Sequence, residues 1–141
     1  MTIDHMLRNA IDAAPDAVLI SDTKGIIRYW NRGAEQLFGY SSQEAVGQSL
    51  DLFIPERLRD RHWEGYHRVM TTGETKYQSG LLNSPGIHKC GSQLSLEFSM
   101  IPLHDDHDEI LGCAAIMRDV TARWMKEKEL QKRIEAYQNA H

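Results

Sequence analysis

Residues 17–47 constrain the fold of this chain more than any other stretch. Two short apolar runs, residues 17–22 (AVLISD) and 26–30 (IIRYW), are joined by Thr23-Lys24-Gly25. A short polar turn with Gly between two β-rich runs predicts a hairpin. The hairpin leads straight into Asn31, after which Ala34, Leu37 and Phe38 repeat at helical spacing. Gly39 ends that helix, and Ser41-Ser42-x-Glu44 opens another with a capping pattern.

The flanking pattern completes an element order. Ile3, Met6, Leu7, Ala10, Ile11 and Ala14 recur at three- and four-residue steps, predicting an amphipathic helix that Pro15 ends. Leu52-Phe53-Ile54-Pro55 reads as a turn into a helix over 56–70, stopped by Thr71-Thr72-Gly73. Three strands are expected next, over 76–82, 94–103 and 110–120. Loop residues at 83–86 (with Pro85 and Gly86), a turn at 88–92 and a polar turn at 104–109 punctuate them. In the second of these strands Leu94, Leu96, Phe98 and Met100 fall on one face, and Ser95, Glu97 and Ser99 on the other. Two strands, several helices, then three strands predict an α+β fold: a five-stranded antiparallel sheet with helices packed on one face. Residues 122–141 are rich in helix formers. Leu130, Ile134 and Tyr137 make a short seam, a start toward a coiled coil, which Arg123 and Glu127 interrupt upstream. The expected organisation is a helix over 1–14, a domain over 15–121 and a linker helix over 122–141.

Composition narrows the function classes. At 141 residues there is room for one domain and its flanking helices. A net charge of −4 argues against a nucleic-acid partner. The apolar runs are too short to insert into a membrane, and the first 14 residues lack the apolar centre of a signal peptide. Cys90 and Cys113 lie far apart and form no framework. A cytoplasmic setting is expected, alone or as the cytoplasmic portion of a membrane-bound parent. No nucleophile–base pairing, phosphate loop or zinc-protease motif is present, and Glu64 and Glu97 stand as isolated carboxylates. The chain is therefore expected not to be an enzyme.

The run 31–47 (NRGAEQLFGYSSQEAVG), preceded by its hairpin, resembles the start of a PAS domain. Residues 112–121 (GCAAIMRDVT) are similar to the last PAS strand with its closing Asp-x-Thr, here Asp119 and Thr121. A third anchor is Lys89-Cys90-Gly91, where family members often carry Lys-Asp-Gly. The resemblance covers about residues 15–121. It implies a sensory or dimerisation module of a larger signalling protein, such as a sensor kinase of a two-component system, a cyclase or a regulator. Such a module relays a ligand, redox or gas cue to a C-terminal output domain. Asp119 and Thr121 are then the signal relay into the linker helix, and the N-terminal helix and sheet face are the expected homodimer contacts. Fold alone leaves a ligand-free protein-interaction module as the alternative.

PAS cavities hold haem, a flavin, a small acid, a fatty acid or nothing. The stretch 55–74 (PERLRDRHWEGYHRVMTTGE) resembles the helix of oxygen-sensing haem PAS domains that supplies the axial histidine. That makes His62 the candidate ligand of haem b and its iron. Leu58, His62, Gly65, Tyr66 and Val69 share one helical face, with Gly65 giving a flat ring room to approach. Trp63, His67 and Met70 form a competing stripe, and if that stripe is buried His62 faces water. Tyr66, Val69, Leu81, Leu82, Phe98 and Met100 are the expected pocket lining. Met100 is either a sixth ligand or a core methionine. The position that supplies a distal Arg or Met in those sensors falls at 80–82, where neither residue type stands. No cysteine occurs between Met1 and Lys89, which disfavours a photochemical flavin. A redox FAD stacked on Trp30 and Trp63 stays open, as does an empty cavity. His104-x-x-His107 with Asp105, Asp106 and Asp108 reads as a solvated turn rather than a metal site. His88 and Cys90 read the same way. His5 and His141, in the chain ends, carry no signal.

Overall fold

The structure, a computed structural model, describes residues 2–73 and 81–140. Helix α1 spans Ile3–Ala13, followed by strands β1 (Ala17–Asp22) and β2 (Ile27–Trp30). Helices α2 (Arg32–Phe38) and α3 (Ser42–Ala45) come next, then two 3₁₀ turns, Leu50–Phe53 and Glu56–Leu58, and helix α4 (Arg59–Thr72). Strands β3 (Leu82–Ile87), β4 (Gln93–His104) and β5 (Ile110–Asp119) precede α5 (Thr121–Ala140). The strands form one antiparallel sheet in the order β2-β1-β5-β4-β3, so the first and last strands pair at its centre.

The hairpin closes on Asp22. Its carboxylate accepts the backbone N–H groups of Lys24 and Ile26 at 2.9 and 3.0 Å and the Arg28 Nε–H at 2.8 Å. Burial alone raises the Asp22 pKa, but these donors outweigh it and hold the carboxyl below its ordinary range. Asn31 is the next knot, 2% exposed. Its Oδ1 accepts from Val18 N and Ala34 N, and its Nδ2 donates to the carbonyls of Ile11 and Asp16. One side chain thus caps α2, closes β1 and ties down the end of α1. Ser41 and Glu44 form a reciprocal capping box on α3. Gly39, at φ 83°, ends α2 in the left-handed conformation.

The inner face of the sheet carries Leu19, Leu96, Ala115 and Met117. They pack on Phe38, Leu50, Phe53 and Tyr66 from the helical layer. Trp30, Phe38 and Phe53 stack at the centre, with Phe38 and Phe53 centroids 4.6 Å apart. Outside the sheet, Ile101 and Ile116 are exposed, and α1 and α5 bury no residue.

Two expectations need correction. The strand expected over 76–82 lies, for 76–80, outside the described residues. The described strand begins at Leu82 and runs through the expected loop 83–86. Pro85 sits opposite Ser95 in it, and β3 is an edge strand, where a missing N–H costs no ladder bond. The start of the long helix is a 3₁₀ turn, so α4 begins at Arg59. Along α5, Leu130 and Ile134 are exposed.

Candidate functional site

Between α4, the 3₁₀ turns and the inner face of the sheet lies a cavity of about 450 Å³. That volume falls within the range of about 300–1,000 Å³ common to small-molecule sites. The second 3₁₀ turn contributes Leu58, and helix α4 contributes Arg61, His62 and Tyr66; Leu58, His62 and Tyr66 follow one another at four-residue steps. The sheet contributes Leu82, Leu96, Phe98, Met100, Cys113 and Met117. The wall is mostly apolar.

Trp63 fixes the rotation of α4. Its Nε1–H donates to Asp51 Oδ1 at 2.8 Å. Its ring lies over the hairpin turn, where a Cβ on Gly25 would stand 2.2 Å from ring atoms. Gly25, at φ 78°, both permits the turn and makes room for the indole. The competing stripe divides: Trp63 packs at the flank, Met70 packs against the core and His67 is exposed. His62 is thereby turned onto the cavity wall, half-buried. Its ring centroid lies 4.7 Å from that of Trp63 and 5.7 Å from that of Tyr66.

His62 Nδ1 is buried and has no hydrogen-bond partner among the described residues. Burial pulls the imidazole pKa below its ordinary value, against a smaller opposing pull from Asp51. The ring is therefore neutral at pH 7, the form that ligates a metal. Deeper in, Tyr66 donates its hydroxyl to the Asp22 carbonyl and shares a 2.8 Å hydrogen bond with Ser21. Desolvation raises the Tyr66 pKa to about 12, and burial raises the Cys113 thiol to about 11, so both stay protonated.

Of the expected lining, Tyr66, Leu82, Phe98 and Met100 are on the wall with His62. Val69 is buried but does not line the cavity, because it sits two turns, about 10 Å, beyond His62. Leu81 precedes β3 and is 63% exposed. Gly65 is not on the wall either. Trp30 belongs to the aromatic core and Trp63 to the hairpin flank, so neither offers a flavin a stacking face in the cavity. Ser21, Phe53, Cys113 and Met117 line the cavity without having been singled out. The period-two alternation of residues 17–21 and 113–117 points Ser21, Cys113 and Met117 inward, and the 3₁₀ turn Leu50–Phe53 brings in Phe53.

The two other histidine-bearing turns serve local structure. Asp105 Oδ1 accepts from His107 N at 2.8 Å and Glu109 N at 3.0 Å, shaping the β4–β5 turn. His88 Nδ1 accepts from Cys90 N at 3.0 Å, and the Cys90 thiol lies 3.3 Å from the Ser92 hydroxyl. Among the described residues no group of three or more His, Cys, Asp and Glu could hold a metal ion. None of their helices is long and apolar enough to cross a membrane.

At the exit from the sheet, Asp119 Oδ1 accepts from Thr121 N at 2.9 Å and from the Thr121 hydroxyl. Thr121 Oγ1 in turn accepts from Ser95 N at 2.9 Å, and Val120 N donates to Ser95 O at 2.8 Å. The first residues of α5 are thus bonded to β4.

Comparison with known proteins agrees with this architecture. The Sensor protein FixL of Bradyrhizobium diazoefficiens is 40% identical over 73 residues, 52% of this chain and 14% of that protein. The Oxygen sensor protein DosP of Escherichia coli is 25% identical over 118 residues, 84% of this chain and again 14% of the relative. The chain thus spans about a seventh of the length of either relative. The crystal structure of a PAS domain from Colwellia psychrerythraea superposes with a TM-score of 0.76 at 24% identity, covering 86% of this chain and 99% of that one. A family model described as the PAS fold matches residues 11–124, and the chain belongs to the PAS family.

Proposed function

We propose that the chain is the sensory module of a larger signalling protein, that it takes its cue in the cavity beneath α4, and that it passes the response through Asp119 and Thr121 into α5. The observation that carries this reading is the neutral imidazole of His62 on an apolar wall, with a buried nitrogen no described residue claims. A buried polar atom without a partner is costly, and a ligand on that wall is a reason to keep one. The chain acts as a receiver, with catalysis left to an output domain of the parent in the cytoplasm. Two copies pair through α1 and the outer sheet face, where Ile3, Leu7, Ile11, Ile101 and Ile116 are exposed in a single chain.

The ligand this wall fits best is haem. His62 would hold its iron, and Leu82, Phe98 and Met100 would stand against the ring. When bound, haem supplies an iron that takes a diatomic gas or changes oxidation state. The names of the two relatives support a sensing role, and that of DosP an oxygen cue. Haemin added to the purified chain should raise its melting temperature by mass action. The rise should vanish in His62→Ala and persist in His67→Ala, whose imidazole is exposed. Equal shifts in both variants would remove His62 from the site.

A further inference from the structure

Strand β4 is two-faced. Leu96 and Phe98 point inward to the cavity wall, and Glu97, between them, points outward. The Glu97 carboxylate meets Arg123 of α5, Nη2 to Oε2, at 2.6 Å. Its side chain is only 16% exposed, whereas that of Arg123 is 57% exposed. Glu97 also has a cationic cross-strand neighbour, Arg118, in register on β5. Arg118 turns away to Asp16, with its Nε 3.1 Å from Oδ2, and so leaves Glu97 to the helix. Arg123 is itself steadied one turn on by Glu127, Nε to Oε1 at 3.9 Å. Beyond that turn α5 buries no residue, and the ion pair of Arg133 with Glu129 is internal to the helix.

We infer that Glu97 and Arg123 form a clamp that sets the direction in which α5 leaves the sheet, held on the same strand that forms the cavity wall. The Asp119–Thr121–Ser95 bonds fix where the helix starts. Those bonds lie at one point and leave the helix free to pivot about it. The clamp adds a second attachment half a turn further on, and two points define a direction. Arg123 is thus not a fault in the tail's apolar seam, and Glu97 is not an idle carboxylate. This inference deepens the proposed relay and rests on that reading for its meaning, but it holds for the chain with nothing in the cavity.

The test uses the whole 141-residue chain, without ligand, as wild type, Glu97→Gln, Arg123→Gln and the double variant. Amide exchange is followed at Trp124, whose N–H bonds the Val120 carbonyl at 2.8 Å, and in the turn beyond it. Backbone ¹⁵N relaxation of α5 is followed relative to the sheet. Each single variant should speed exchange there by about two- to fivefold, the range expected of a partly exposed ion pair. Each should also let α5 reorient faster than the sheet, while exchange in β1 and β5 stays as in wild type. The double variant should go no further than either single one, and high salt should move wild type toward the variants. Unchanged α5 dynamics in either single variant, additive effects, or loosening spread evenly through the sheet would overturn the clamp. Failure here leaves a cavity ligand untouched, and failure to bind haemin leaves the clamp untouched.

Discussion

Two polar side chains, Asn31 and Asp22, organise more of this molecule than any apolar residue does. Asn31 satisfies two backbone N–H groups and bonds the carbonyls of Ile11, Ala14 and Asp16. Truncation removes a helix cap and strands the Val18 amide, so Asn31→Ala should cost about 2–4 kcal/mol. Urea denaturation measures this, and a loss below about 1 kcal/mol would contradict the role. Asp22 gives a pH signature. Its folded pKa lies below the ordinary 3.8, so the unfolded chain takes up its proton first as pH falls. The contribution of Asp22 is complete above pH 3.8 and is lost as the pH drops through the folded value. Asp22→Asn should therefore be less stable than wild type at neutral pH, with the gap closing below pH 4. A gap that stayed constant with pH would rule the charge out. The Asn31 position is legible in the sequence as a helix start. Its three-way bonding is not, because its partners lie up to 20 residues away along the chain.

Elements with strong local periodicity are legible, and those set by tertiary contacts are not. The hairpin, the capped short helices and β4 follow from residue patterns, because each needs only neighbours to form. β3 misleads because Asn83, Ser84, Pro85 and Gly86 are turn formers, and only pairing with β4 makes them a strand. Helical spacing alone gives α4 two candidate inner stripes. The indole of Trp63 settles the choice by occupying the space above Gly25, a contact no helical wheel contains. At the other end of the domain, Thr121 accepts from Ser95 and is held in turn by Asp119. Asp119→Ala should cost the start of α5 about 1 kcal/mol, the scale of a lost cap. Faster amide exchange at Thr121 and Ser95, with an unchanged far-ultraviolet circular dichroism spectrum, is the expected result. In the parent protein the same variant should uncouple cue from output while cavity binding persists.

At the scale of the whole molecule, one chain leaves the apolar stripe of α1 and Ile101 and Ile116 of the outer sheet face exposed. The proposed pairing of these surfaces in a homodimer predicts that light scattering gives twice the chain mass, and that Leu7→Glu shifts the mass toward the monomer. A wild-type monomer at high concentration would contradict it. Part of the candidate cavity is legible in the sequence, from the apolar face of β4 and the four-residue spacing of Leu58, His62 and Tyr66. The rest needed the sheet order, because β1 and β5 meet at the centre only after folding and bring Ser21 and Cys113 to the same wall. The central claim is that this wall, through His62, binds a ligand that the rest of the module reports. Titration of haemin into the purified chain, followed by absorption, tests it most directly. A sharp Soret band should grow and saturate at one equivalent per chain in wild type and in His67→Ala, and fail to form in His62→Ala. A titration with no saturation point, or the same saturable band in His62→Ala, would contradict it.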